Sequence, residues 1–423
     1  MTAIVITSYG TLGDNLPLIA LGQSLKARGY SVLMAIGPAM HPYALKAGLK
    51  AVDNGRLSVS KTVAQQQPQA WNHLGDDFTS SSGIEREERE DAFLDMFWFH
   101  LVEGLPCLLE ACQDASLLIS TPQQDLVAAI VHEKLKISWV TASVTPSLHC
   151  QKRKQPKHKP VSNSLSKADR PAIADEMYDM TEEVRQSLQL PPLSRNQWDN
   201  YYRCDRTILG SSVHFSQPVA EAPASQTGFW FYEDPDWQTW QPTPNLQDFM
   251  EQDPKPLVLS FSSQPLADAR AIVTVHAQAA AKLGRPLLIQ QGWADFKAEQ
   301  LPADCDRDRV MFTGFMPQDW LFARAAALIH HGGIGTTARA LRQGCPMLVE
   351  PFGNDQFFNA KQIIFHKVGA AMHPMRLQAD EVAQVLQNKV LTAEYRQRAT
   401  VLGTKIRDEM GLENACDLLE SWL

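Results

Sequence analysis

Apolar residues fall in short runs separated by longer amphipathic stretches, and this alternation repeats along most of the chain. Thr2 to Ser8 is rich in β-branched residues and reads as a buried strand, and Leu18 to Arg28 reads as a helix with Pro17 as its first residue. Ser31 to Ile36, Leu117 to Ser120 and Ile137 to Thr141 repeat the strand signal, with a helical pattern over Asp125 to Leu135. Leu209 to Pro218 and Thr227 to Phe231 finish this half. Glu233 to Pro244 then interrupts the alternation with three prolines and two tryptophans. It restarts with a helix over Leu246 to Gln252 and strands at Pro256 to Phe261, Leu287 to Gln291, Ala325 to Ile329 and Pro346 to Val349. Strand–helix alternation of this kind predicts an α/β protein with doubly wound parallel sheets. The interruption divides it into a domain over residues 1–232, a linker over 233–244 and a second domain over 245–400. A chain of 423 residues also exceeds what one core usually supports.

Two loops in the second half carry chemistry. The Ala325–Ile329 strand runs into His330-His331-Gly332-Gly333-Ile334-Gly335-Thr336-Thr337, and a helix follows through Gln343. Glycines and hydroxyls between a strand and a helix N-terminus make a place for a phosphate, because unpaired backbone N–H groups and the positive end of the helix dipole face the same loop. After the next strand comes Pro351-Phe352-Gly353-Asn354-Asp355-Gln356, which brings a carboxylate and an amide to the neighbouring strand end, a pair suited to a polyhydroxylated ligand. The first strand ends in Tyr9-Gly10-Thr11-Leu12-Gly13-Asp14-Asn15-Leu16-Pro17. Its glycines lack the GxGxxG spacing, and no acid closes the second strand, which leaves a nicotinamide enzyme as the weak alternative.

Phe312 to Gly369 resembles the donor-binding signature of the nucleotide-sugar glycosyltransferases of GT-B fold, with two Rossmann-like domains facing a central cleft. Within the UDP-glycosyltransferase family the chain is most similar to bacterial and fungal sterol glucosyltransferases and to the rhamnosyltransferases that build rhamnolipids. The phrases QDWLFARAAALIHHGGIGTT, TGFWF and SWVTASVTPS carry the likeness, together with GTxGDxxP in the first loop. The resemblance implies that His331 contacts the donor diphosphate with Gly332, Gly333, Gly335, Thr336 and Thr337, and that Asp355 and Gln356 hold sugar hydroxyls. It implies Phe315 against the nucleobase, Gln318 in the same turn, and Ser263 near the phosphates, although Ser262-Ser263-Gln264 stands where relatives carry Gly-Ser. Where plant relatives hold the ribose with a Glu, this chain has Arg339, which cannot accept hydroxyl protons. That predicts loose discrimination between uridine and thymidine donors. The residues 401–423 are expected to pack back on the first domain, as the C-terminal helix does in relatives.

For catalysis the first loop has no histidine, so the His–Asp dyad of plant relatives is absent, and Asp14 is the candidate base. The competing reading is that Asp14 only caps a helix; His100 and His149 are the next candidates. Thr11, Phe93, Phe97, Trp98 and Ser143 are candidate acceptor contacts. The apolar stretch from Phe93 to Leu109 is too apolar for a helix with a clean polar face, and its residues either bury against the sheet or line a pocket for a lipophilic alcohol.

Composition narrows the function class. A formal charge of −8 and a pI near 5.9 argue against nucleic acid as the main partner. Seven cysteines without a CxxC pair read as reduced thiols. No run reaches the ~18 apolar residues of a membrane span, and the first strand begins at once, so a cytoplasmic location is expected. Gln151 to Arg170 holds seven Lys or Arg and one Asp; it reads as a mobile loop able to make a peripheral membrane contact. The resemblance implies an inverting transfer from a UDP- or dTDP-sugar, glucose first, to a hydroxyl of a small lipophilic acceptor such as a sterol, terpenoid, polyphenol or hydroxy-lipid. No metal and no cofactor beyond the donor substrate are implied, and the chain is expected as a monomer or weak dimer. The alternatives are a nucleotide-sugar epimerase or hydrolase, or a non-catalytic nucleotide-sugar-binding homologue.

Overall fold

The computed structural model describes residues 2–55, 98, 100–150, 170–353 and 355–423. Strands β1 (Ala3–Thr7), β2 (Ser31–Ala35), β3 (Lys50–Val52), β4 (Leu117–Ser120), β5 (Ser138–Ser143), β6 (Thr207–Leu209) and β7 (Ser225–Gln226) form one parallel sheet in the order β3-β2-β1-β4-β5-β6-β7. A second parallel sheet contains β8 (Leu257–Ser260), β9 (Leu287–Gln290), β10 (Val310–Thr313), β11 (Ala327–His330), β12 (Met347–Val349) and β13 (Gly369–Ala371), in the order β10-β9-β8-β11-β12-β13. The central strands are buried along their length, which is why they appear in the sequence as continuous apolar runs rather than alternating ones.

Strand order places the crevices. In the first sheet the direction of winding reverses between β1 and β4, and in the second between β8 and β11. Open parallel sheets bind ligands beyond the carboxyl ends of strands at such reversals. The loops following β1, β8 and β11 are therefore the ones that topology aims at a ligand.

Helix α1 (Leu12–Ala27) begins six residues before the sequence expectation of Leu18. Pro17 lies inside it and is not its first residue. The earlier start is set by Thr11, whose backbone N–H and hydroxyl both donate to Asp14 Oδ2, at 2.8 and 3.3 Å. This reciprocal closure of the first turn fixes the helix upstream of the proline. Gly10 makes the turn possible: its φ is +130°, and a Cβ there would lie 2.2 Å from Asp14 Oδ2.

Downstream, α2 (Asp125–Leu135), α3 (Gln318–Arg324), α4 (Ile334–Arg342) and α5 (Gln356–Phe365) cover the sheets. Helix α6 (Ala393–Arg407) buries Ala399, Leu402 and Ile406 in the second domain's core beside Leu341 and Cys345. Only α7 (Gly411–Glu420) crosses back, where Ala415, Cys416 and Leu419 join Leu18, Leu21 and Leu25 in the first domain's core. Arg28 holds it with ion pairs to Asp417 (2.5 Å) and Glu420 (2.8 Å). All seven cysteines are free. Among the described residues no helix is long and apolar enough to cross a membrane.

Candidate functional site

The loop after β11 leads straight into α4, with Gly333 as N-cap in extended conformation. His331 folds over this cap, so close that a Cβ on Gly333 would sit 2.4 Å from His331 Nε2. Only glycine fits under the imidazole. The ring meets Phe261, from the loop after β8, edge-on at 6.3 Å, and its Nδ1 is buried without a partner. Burial holds the His331 pKa down at about 4. The group is neutral near pH 7 and offers a ligand a neutral N–H beside the amides of the helix start. His330 is fully buried beneath it, with Nδ1 accepting from the Gly332 N–H at 3.2 Å, and its pKa is lowered further by burial and by His331. Of the two hydroxyls, Thr337 donates to Gly333 O at 3.0 Å and braces the cap, whereas Thr336 has no hydrogen bond to the described residues.

Asp355 and Gln356, paired in the sequence reading, point to different tasks. Gln356 Oε1 accepts from the N–H groups of Phe352 and Gly353, at 2.8 and 3.3 Å, while its Nε2 donates to Gln264 Oε1 at 3.0 Å. Its amide thus locks the β12 loop to the β8 loop. Asp355, at the N-cap of α5, is half-buried. Its carboxyl is pushed up to about 6, chiefly by burial and also by the charge of Asp14, against the lowering effect of the Asn359 hydrogen bond. Asn359, fully buried, donates to Asp355 Oδ2 (2.8 Å) and to Gly332 O (2.9 Å). Ser263 lies on the β8 loop, two residues past Phe261, next to Ser262 whose φ is +48°.

The first domain meets this loop with the start of α1. A Cβ on Gly335 would lie 3.8 Å from Gly13 Cα, so the N-termini of α1 and α4 converge on one cleft from opposite domains. Asp14 is half-buried there; desolvation raises its pKa, and the two Thr11 donors oppose that rise. Both of those donors use Oδ2, so the capping role occupies one oxygen. Thr11 thereby serves Asp14 directly. Ser143 is fully buried at the end of β5, within 3.3 Å of the Thr145 N–H, two strands from β1 and so about 10 Å across the sheet. Trp98 is half-buried. Phe93, Phe97, Asn354 and residues 151–169 lie outside the described residues.

Phe315 and Gln318 stand beyond β10 and at the start of α3; Phe315 is 54% exposed, and Gln318 is buried. The aromatic partner of Phe315 is Trp237 from the linker, with ring centroids 5.9 Å apart. Arg339 does not face a ribose. It is buried between Asp319, the carbonyl of Tyr232 and the Trp237 ring (5.4 Å), so it clamps the linker to α3 and α4.

Comparison with known proteins fits this geometry. Residues 296–414 match the family described as the C-terminal domain of erythromycin biosynthesis protein CIII-like proteins. O-mycaminosyltylonolide 6-deoxyallosyltransferase of Streptomyces fradiae is 26% identical over 99% of this chain and 97% of its own. Sterol 3-beta-glucosyltransferase of Debaryomyces hansenii is 24% identical over 98% of this chain but 26% of its own, so the chain spans about a quarter of that relative's length. The spinosyn rhamnosyltransferase SpnG, complexed with thymidine diphosphate, superposes with a TM-score of 0.64 at 15% identity, covering 100% of both chains. These likenesses support a place for the chain in the UDP-glycosyltransferase family. Its fold is the GT-B arrangement of two facing α/β domains. The predicted donor loop at His331 and the first-domain loop at Asp14 open on the same cleft. Sequence reading set Asn359 in motif order without a role and gave none to Gln264 or Trp237, each of which acts through a contact with a residue distant in the chain. The signal in the sequence was the place of Asn359 in the motif, and nothing marked Gln264 or Trp237.

Proposed function

We propose that this protein is an inverting glycosyltransferase that moves a hexosyl group, glucose first, from a UDP- or dTDP-sugar to a hydroxyl of a small lipophilic acceptor. The observation that carries the reading is the convergence of the α1 and α4 N-termini, with Asp14 on one and the His331 loop on the other. A helix N-terminus with free amides stabilises a diphosphate, and a carboxylate opposite it is placed to act on the acceptor. The thymidine diphosphate in the SpnG complex supports a nucleoside diphosphate as the leaving group.

In the proposed reaction, Asp14 accepts the acceptor hydroxyl proton as that oxygen bonds to the anomeric carbon. The bond from this carbon to the diphosphate oxygen breaks on the opposite face. Attack opposite the leaving group inverts the centre. A carboxylate is a weak base for a resting alcohol, but the alcohol becomes far more acidic as it bonds to an oxocarbenium-like carbon. The leaving diphosphate's charge falls to the α4 amides and to the His331 N–H, and Asp355 accepts sugar hydroxyls.

Incubating the protein with UDP-glucose or dTDP-glucose and a panel of sterols and other lipophilic alcohols tests this. Nucleoside diphosphate released only when an alcohol is present, with a glycoside of inverted configuration, is the expected result. Release without acceptor would make the protein a donor hydrolase, and no release on any donor would make it a binding homologue.

A further inference from the structure

Away from the cleft, an open hollow of about 500 Å³ lies where the loop at His214, the C-terminal end of α5 and the outer face of α6 meet. We propose that this face docks onto a membrane surface rich in anionic lipid head groups. Two features that rarely coincide on a soluble face do so here. Four of the large apolar side chains exposed on the described surface lie in the lining or next to it in sequence: Val401 lines it, Val213 adjoins His214, and Ile364 and Phe365 precede His366. Phe365 is the most exposed of them, at 77%. A cluster of this kind on a folded protein marks a contact surface.

The polar part of the same face is cationic, although the protein as a whole is acidic. Arg398 and Lys405 line the hollow, and exposed Lys361 and Lys367 flank Phe365 on α5 and just past its end. Lys361 is four residues before Phe365 and therefore on its helix face. The single acid in the lining, Glu394, is already paired with Arg398 at 3.0 Å. A Phe and an Ile that enter the acyl boundary, ringed by lysines whose stems reach to the phosphates, is the composition that an anionic interface retains. A neutral protein partner would not require the cations.

Helix α5 sets the distance to the site. It has ten residues, so about 15 Å separates Asp355 at its start from Phe365 at its end. Docking by this face would hold Asp355 no farther than that helix length from the Phe365 that enters the bilayer.

The test is flotation of the full-length protein with vesicles of phosphatidylcholine alone or of phosphatidylcholine with phosphatidylglycerol. It involves no sugar transfer, so its outcome is separate from that of the donor-site reading. The native chain is expected on the anionic vesicles only, with binding reversed by high salt. Phe365→Ser with Ile364→Ser should lower the partition roughly tenfold or more, and Lys361→Gln with Lys405→Gln about fivefold per residue. All four positions are exposed, and unchanged melting temperatures will show that the variants fold. Failure of the native chain to bind anionic vesicles overturns the proposal, and so does binding that both pairs of substitutions leave intact. A native chain that ignores vesicles but forms a dimer abolished by Phe365→Ser would assign the face to a second copy instead.

Discussion

Asn359 reaches both Asp355 Oδ2, at 2.8 Å, and Gly332 O, at 2.9 Å, so one buried amide ties the proposed sugar-binding carboxylate to the proposed phosphate loop. The bond to Asn359 lowers the Asp355 pKa, which burial and Asp14 together hold up at about 6. If ionised Asp355 accepts sugar hydroxyls, kcat/KM should fall as pH drops through about 6. Asn359→Ala removes the lowering contact, so this acid limb should move to higher pH while the limiting rate at high pH falls less than tenfold. A limb that stays in place would detach Asp355 from sugar binding.

His331→Ala should cut turnover at least tenfold and weaken nucleoside diphosphate binding, since losing a hydrogen bond to a desolvated phosphate costs about 1.5 to 3 kcal/mol. The ring lies in a cap that Thr337 also braces, so the melting temperature should change little. A diphosphate held beside this neutral His raises its pKa from about 4. Calorimetry of diphosphate binding near pH 6 in buffers of different ionisation enthalpy should therefore show proton uptake in the native chain, reduced in the variant.

Asp14→Asn separates the two roles of that residue. Asparagine can still accept from the Thr11 N–H, so the helix start and donor affinity should persist, whereas loss of the base should lower turnover roughly 100-fold or more. Normal turnover would return the role to His149 or His100.

Arg339→Gln should damage stability and leave nucleoside choice alone. The change removes charged donors from the half-buried Asp319 carboxylate, which keeps the Gln343 amide at 2.7 Å, and from the Tyr232 carbonyl, a loss of about 1.5 to 3 kcal/mol. The ratio of kcat/KM for uridine and thymidine donors should stay within threefold of native. A larger change would bring Arg339 back to the nucleoside.

Asp125 carries a pH signature of the fold itself. Its carboxyl accepts from the Ser120 and Thr141 hydroxyls at 2.8 and 2.9 Å, yet burial pushes its pKa to about 7. The native state keeps a proton that the unfolded chain sheds near pH 4, so this residue's contribution to stability falls as pH rises from about 4 through 7. Asp125→Asn has no such dependence, and its stability relative to native should improve between pH 5 and 8, by about 2.5 kcal/mol. Equal pH profiles in chemical denaturation would show that the carboxyl titrates normally.

The strand, loop and helix around His331 were legible because their signal is local: a buried run, three glycines and a helix start lie within eighteen residues, Ala325 to Arg342. Sheet class was legible for the same reason. The start of α1 was not, because a proline looks like a first-turn residue unless the Thr11–Asp14 closure upstream of it is seen. The task of Arg339 was not legible, because its place in the motif says nothing about the linker carbonyl it meets, 107 positions away in the chain. Gln356 shows the same limit: the motif supplied the amide, but its partner Gln264 lies 92 positions upstream.

The return of α7 to the first core sets an order on synthesis. Leu18, Leu21 and Leu25 are translated before the second domain, but the Ala415, Cys416 and Leu419 side chains that cover them are translated after it. The core of the first domain is thus sealed only once the second has been made, and a nascent chain stopped anywhere before residue 411 carries an uncovered apolar face on α1.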